Sequence, residues 1–160
     1  MDKLRFILLS ILLQVSISVS AGYAPTLVQN SLKTLFPTVT AVGWSTDQGY
    51  YVAEFRHDGF DMKVWFDTKG HWVMKQTDWQ VMDEAPEAVW HAFSFGPYST
   101  DEILDVTLVE FPRMKAQVIV LIGEDNAETK YQLFYLMDGE MINARNVTNM
   151  NHILGVSTFL

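Results

Sequence analysis

Histidines, carboxylates and hydroxyls are the groups in this chain that could do chemistry. The four histidines are His57, His71, His91 and His152. None stands at the spacing from another that two ligands of one zinc ion require. Asp58-Gly59-Phe60-Asp61 and Glu124-Asp125-Asn126-Ala127-Glu128 are acidic turns. Both offer oxygen ligands, but neither has the ligand order of a calcium loop, and as solvated hairpin tips they need no ion. Glu54 and Asp61 are a candidate carboxylate pair for acid–base work, with nothing in the sequence fixing their separation. A nucleophile elbow, a glycine-rich phosphate loop and a Walker pattern are all missing from the sequence. The sequence therefore predicts no catalytic residue, no metal and no cofactor.

What the chain does concentrate is aromatic surface. The stretch YYVAEFRHDGFDMKVWFDTKGHW, from Tyr50 to Trp72, carries more rings than one buried face can use. In a strand, side chains alternate between the two faces. Tyr51, Ala53 and Phe55 then share one face, and Tyr50, Val52, Glu54 and Arg56 share the other. Phe60, Met62, Val64 and Phe66 form an apolar set opposite Asp61, Lys63, Trp65 and Asp67. A covering helix would bury the apolar set. That leaves Tyr50, Arg56, Lys63 and Trp65 on an open face, with Trp44 and Trp72 assigned to the same surface. Rings mixed with charges on an uncovered sheet are what a protein-binding surface looks like. The competing reading is that aromatics favour strands for packing alone, with pairs such as Trp65 and Tyr50 stabilising the sheet.

The elements that would position this face occur in a repeating order. Pro25 to Phe36 has helical spacing, with Leu27, Val28, Ser31, Leu32 and Leu35 on one side, Pro25 at its start and Pro37 blocking its continuation. Strands follow at Val39–Ser45, Tyr50–His57, Phe60–Phe66 and His71–Thr77, with Asp58-Gly59 as a tight hairpin signal. The order then restarts. Ala85-Pro86 echoes Ala24-Pro25, Pro86 to Phe95 reads as a helix with Val89, Trp90 and Phe93 as its stripe, and strands are expected at Ile103–Phe111, Lys115–Ile122, Thr129–Met137 and Glu140–Asn146. In this second half Leu104, Val106, Leu108, Val118, Val120, Ile122, Tyr131, Leu133 and Tyr135 read as core. Asp105, Thr107, Gln117, Ile119, Lys130, Gln132 and Phe134 read as open face. The expected fold is α+β: two tandem helix-plus-antiparallel-sheet lobes joined into one curved sheet with the helices on one side.

Composition narrows the partner. Of 160 residues, 49% are apolar, enough for a core, and the net charge is -8. Such a balance excludes nucleic acid and docking on anionic lipid. Residues 1–21 have a positively charged start, an apolar run from Phe6 to Val15 and small residues at Val19-Ser20-Ala21, the pattern of a cleaved signal peptide. Losing Asp2, Lys3 and Arg5 would leave 9 basic and 18 acidic residues. No cysteine is present, so there is neither a disulfide frame nor a lipid-modified cysteine, and the domain must rely on its core. The expectation is a periplasmic or secreted protein with no membrane span after cleavage. Its expected segments are the signal peptide at 1–21, a first repeat at 22–80, and a second repeat with the apolar tail at 81–160.

Phe36-Pro37-Thr38-Val39, Trp44, Tyr51-Val52-Ala53-Glu54-Phe55 and Val64-Trp65-Phe66-Asp67-Thr68-Lys69-Gly70, following a helix, resemble the PepSY-like domain. They are similar to its β-lactamase-inhibitor-like (BLIP-like) branch of exported bacterial proteins. The resemblance runs from Pro25 to Arg145 as two copies. The second is degenerate, with Phe95-Gly96-Pro97 in place of Phe-Pro and no tryptophan in its first strand. The resemblance implies the tandem α+β fold and an exported binding or inhibitory protein, not an enzyme, with a partner in the cell envelope, an enzyme or peptidase among the candidates. In the inhibitor that labels the branch, an open sheet grips a β-lactamase. That inhibitor uses disulfides, which this chain lacks, so its target is not transferred. A small-molecule or glycan carrier and a self-associating structural protein are the alternatives.

Overall fold

The computed structural model describes residues 23–124, 128–150 and 154–160. The expected signal peptide, His152 and most of the acidic turn after Glu124 lie outside the described residues. The chain order is α1 (Thr26–Leu35), β1 (Gly43–Asp47), β2 (Tyr50–His57), β3 (Phe60–Phe66), β4 (Trp72–Asp78), α2 (Glu87–Ser94), β5 (Glu102–Glu110), β6 (Gln117–Glu124), β7 (Thr129–Leu136) and β8 (Met141–Asn146). All eight strands join in one antiparallel sheet, each paired with its neighbours in sequence. The one sheet expected runs through both halves of the chain without a break, because β4 pairs with β5 through Lys75↔Glu110 to Asp78↔Thr107. The fold is α+β.

Register shows that both helices lie on the same side. Phe55, Met62, Thr77, Leu108, Val118 and Tyr135 face one another in turn across β2 to β7, so they share one face of the pleat. At one end of this face Val28 and Leu32 of α1 pack on Ala53, Phe55, Met62, Val64 and Phe66. At the other, Val89 and Phe93 of α2 pack on Val106, Val118, Val120, Ile122 and Leu133. The helical stripes are narrower than their spacing suggested. Leu27, Leu35 and Trp90 are exposed, so each short helix buries one ridge only.

Two glycines let the helices sit close. Gly70, in the β3–β4 turn, has φ +81° and would put a Cβ 2.8 Å from Ser31 Oγ of α1. Gly139, in the β7–β8 turn, has φ +88° and would put one 2.5 Å from the carbonyl oxygen of Ala88 in α2. A left-handed backbone and lack of space both call for glycine here.

Candidate functional site

The second face of the sheet carries neither α1 nor α2 and is called the helix-free face. Its middle is apolar and is closed by the chain's own C-terminal tail, which makes a single 3-10 turn at Val156–Thr158. Val156 of the tail is buried with Val52, Trp65, Met74, Val109, Phe111, Ile119 and Phe134, and Leu154, Phe159 and Tyr50 pack against this cluster. The Phe159 ring lies 5.3 Å from Phe111 and 6.1 Å from Phe134. Trp65 Nε1–H donates to Asp47 Oδ2 at 3.0 Å, and the Val156 amide donates to the same oxygen at 3.4 Å. The tail thus fills the place of a third layer. The tail is a docked segment and not an edge strand of the sheet.

These contacts place the sequence-predicted binding residues. Tyr50, Arg56, Lys63 and Trp65 do point away from the helices. Trp65 is only 3% exposed, however, because the tail lies over it, and Tyr50 is half-buried at the edge of the same cluster. Arg56 and Lys63 stay exposed. Trp44 and Trp72 are on the other face. Trp44 pairs with Ala53, whose side chain points to α1, and its ring lies 6.3 Å from Phe66. Trp72 should follow Met74 onto the helix-free face by alternation. An irregularity opposite Trp65 and Phe66 makes Val73 an extra residue, so Trp72 pairs with Phe66 and joins the cluster under α1. The aromatic open face is therefore an apolar layer already covered, and what remains uncovered is charged.

That charged remainder is a cleft of about 670 Å³ beside the tail. Glu54, Arg56, Asp61, Lys63, Gln76, Asp78, Asp105, Thr107 and Leu154 are among its walls. Arg56, Asp61, Asp78 and Thr107 form one row across β2 to β5, and Glu54, Lys63 and Gln76 form the next. The candidate carboxylates Glu54 and Asp61 share this face and each stands opposite a cation, Glu54 at 3.5 Å from Lys63 Nζ and Asp61 across from Arg56. The close carboxyls are Asp78 and Asp105, which sequence reasoning missed. Burial, and after it the charge of Asp78, pushes the Asp105 carboxyl above the usual carboxylate range. The Thr107 hydroxyl, donating to Asp105 Oδ2 at 3.0 Å, works against that rise. Asp105 and Thr107 were both read as open-face residues. No local pattern joins Asp105 to Asp78, since β4–β5 pairing alone brings them together.

A second recess of about 790 Å³ lies between α1 and the β5–β6 connection. Leu35, Trp72, Phe111, Met114 and Leu160 give it an apolar lining. At its rim the Asp67 carboxylate accepts the backbone N–H groups of Lys69 and His71. Burial acts to raise the Asp67 pKa, but these bonds and the His71 ring outweigh it and hold the group below its ordinary value. Among the described residues no group of three metal-ligating side chains converges, and no helix is long and apolar enough to cross a membrane.

No family model and no curated protein matches the chain. Solved structures do. A DUF2874 family protein from Bacteroides uniformis shares 49% identity at a TM-score of 0.84, over 86% of this chain and 100% of that one. A protein from Bacteroides eggerthii, named for an inferred periplasmic location, shares 45% at 0.83, over 87% of this chain and 100% of that one. A BLIP-like protein from Bacteroides fragilis shares 30% at 0.77, over 84% of this chain and 95% of that one. The fold is accordingly BLIP-like, and by its identity and full coverage of the Bacteroides uniformis protein the chain belongs to the DUF2874 family.

Proposed function

We propose that this protein is an exported, non-catalytic binding module of the cell envelope that holds a protein partner on the helix-free face of its sheet. The observation that carries the reading is the uneven cover of that face. The tail seals the apolar middle, and a charged cleft with Arg56, Lys63, Glu54 and Asp61 at its edge stays open to solvent. With the apolar middle already covered by the tail, the open charged cleft is the part of this face left for a partner, and it matches the polar rim of a protein interface. The periplasmic assignment of the Bacteroides eggerthii relative and the BLIP-like fold of the Bacteroides fragilis relative support both the location and the mode of action. Within this reading Arg56 and Lys63 touch the partner, Tyr50 edges the contact, and Trp65 supports the surface from beneath. Inhibition of an enzyme or peptidase is one form such binding takes.

The test is a photo-cross-linking residue placed at Lys63 or, as a control on the helix side, at exposed Lys33. Living cells irradiated with each variant should yield a discrete protein adduct from position 63 and none from position 33. Adducts of equal yield from both, or from position 33 alone, would remove the helix-free face from consideration.

The apolar recess by α1 favours a second reading, a carrier of a small apolar molecule. It predicts saturable binding of a fluorescent apolar dye that Leu35→Ser and Met114→Ser abolish, with no adduct from position 63.

A further inference from the structure

The recess between α1 and the β5–β6 connection joins two surface features that depart from the rest of the chain. The first is apolar. Leu35 of α1, Met114 of the connection and Leu160 of the tail are 44%, 45% and 59% exposed, and all three line this one hollow. A single exposed apolar side chain is ordinary, but several from separate elements around one concavity mark a binding surface. Trp72 and Phe111 continue the lining.

The second feature is charge. The chain as a whole has 19 acidic and 11 basic residues. The walls of the recess reverse that balance. Helix α1 carries Lys33 and no acid, the β3–β4 turn carries Asp67, Lys69 and His71, and residues 111–116 carry Arg113 and Lys115 and no acid. Asp67 spends its carboxylate within its own turn, on the N–H groups of Lys69 and His71 and, at 3.1 Å, on the His71 ring. Glu110, where the connection begins, is paired with Lys75 at 2.7 Å. Arg113 lines the recess, is exposed and, among the described residues, forms no ion pair.

An apolar hollow with an uncommitted guanidinium in its wall suits a molecule that is apolar over most of its length and anionic at one end. A neutral hydrocarbon would make no use of Arg113, and an inorganic anion would leave the apolar lining in water. Guanidinium meets carboxylate through two parallel N–H···O bonds, which favours a carboxylate as the head group. A flat anionic bilayer does not fill a hollow, and the net charge of -8 opposes its approach. The volume of about 790 Å³ lies within the range of small-molecule sites, roughly 300–1,000 Å³.

We infer that this recess is a site for an amphipathic carboxylate, an alkyl chain ended by one carboxylate, with the chain against Leu35, Trp72, Phe111 and Met114 and the head group on Arg113. The inference rests on the carrier reading of the recess and names the class of its ligand.

The probe is decanoate, kept below the concentration at which it forms micelles. It is titrated into the protein while the methyl groups of Leu35 and Met114 and the Nε–H of Arg113 are followed by NMR. Saturable shifts at all three are expected, with an affinity about fivefold above that of decanol, the upper end of what an exposed ion pair supplies. Arg113→Gln should remove that preference and leave the binding of decanol as it was, and Arg113→Lys should keep part of it. Lys130→Gln on β7, with the same loss of charge, should change neither. Equal affinity for decanoate and decanol, or a preference undiminished in Arg113→Gln, overturns the carboxylate site and leaves the apolar carrier standing. Tighter binding of decyltrimethylammonium than of decanoate does the same. Saturable binding of neither decanoate nor decanol overturns the site and the carrier together. Sedimentation with phosphatidylglycerol vesicles that Arg113→Gln abolishes, without saturable binding of decanoate, would overturn the site and assign the patch to a membrane surface.

Discussion

The indole of Trp65 donates a 3.0 Å hydrogen bond to Asp47, and through that carboxylate the middle of the sheet is tied to the end of the chain. The same Asp47 oxygen accepts the amide of Val156 at 3.4 Å. One side chain on an edge strand thus satisfies two donors that burial would otherwise orphan. Asp47→Ala should lower stability by about 1–3 kcal/mol, the loss expected when a buried donor is left without a partner. Chemical denaturation would measure it, and Asp47→Asn should recover part.

Trp65→Ala should be far more damaging than the loss of a surface aromatic. Trp65 is packed among Val52, Met74 and Val109, and truncating such a ring typically costs about 3–5 kcal/mol. Tyr50→Ala, at the edge of the cluster, should cost less than half as much. Denaturation midpoints of the two variants order them, and equal midpoints would mean that the tail does not cover the tryptophan.

Removing residues 154–160 should expose the apolar centre of the helix-free face. The truncated protein should bind an apolar fluorescent dye strongly, and exchange of the Trp65 indole proton with solvent should become fast. Phe159→Ala should show the same change more weakly, because it removes one ring from beside Phe111 and Phe134 and leaves Val156 in place.

Gly139→Ala should destabilise more than Gly70→Ala. Both have positive φ, but the new methyl at 139 meets a backbone carbonyl at 2.5 Å, while at 70 its nearest contacts are side chains, the Ser31 hydroxyl at 2.8 Å and Leu27 Cγ at 3.2 Å, with the Leu27 carbonyl farther off at 3.4 Å. A left-handed residue alone costs roughly 1–2 kcal/mol, so Gly59→Ala, with open space around it, sets the baseline. Melting temperatures of the three variants should fall in that order, Gly139→Ala lowest.

The pH dependence has opposite signs at two carboxyls. Asp105 has a folded-state pKa above its unfolded value. Its protonation therefore favours the fold below the ordinary carboxylate pKa, and that contribution is lost as pH rises through the raised folded value. Asp67 has a lowered folded pKa, so its contribution is present above the ordinary value and lost as pH falls through the lowered one. Asp105→Asn should accordingly stabilise the protein at pH 7 relative to the native chain, and the gain should shrink toward pH 4. Asp67→Asn should destabilise at pH 7, with the difference fading in acid. Denaturation across pH 3–8 reads both.

Where hydrophobic alternation met a tight turn, the sequence alone determined the outcome. Tyr50–His57 and Phe60–Phe66 form the strands their pattern predicts, because Asp58-Gly59 fixes the hairpin register and a one-residue slip would expose the whole apolar set. The two helices, the eight strands and the outward direction of Arg56, Lys63, Asp105 and Thr107 follow from the same local rules. Only the tertiary structure decided which face each tryptophan serves. One extra residue at Val73 reverses Trp72, and the docked tail turns Trp65 from surface to core. Nor could alternation bring Asp78 beside Asp105. Their proximity depends on β4 pairing with β5 across the whole of α2, a long-range closure that no local periodicity encodes.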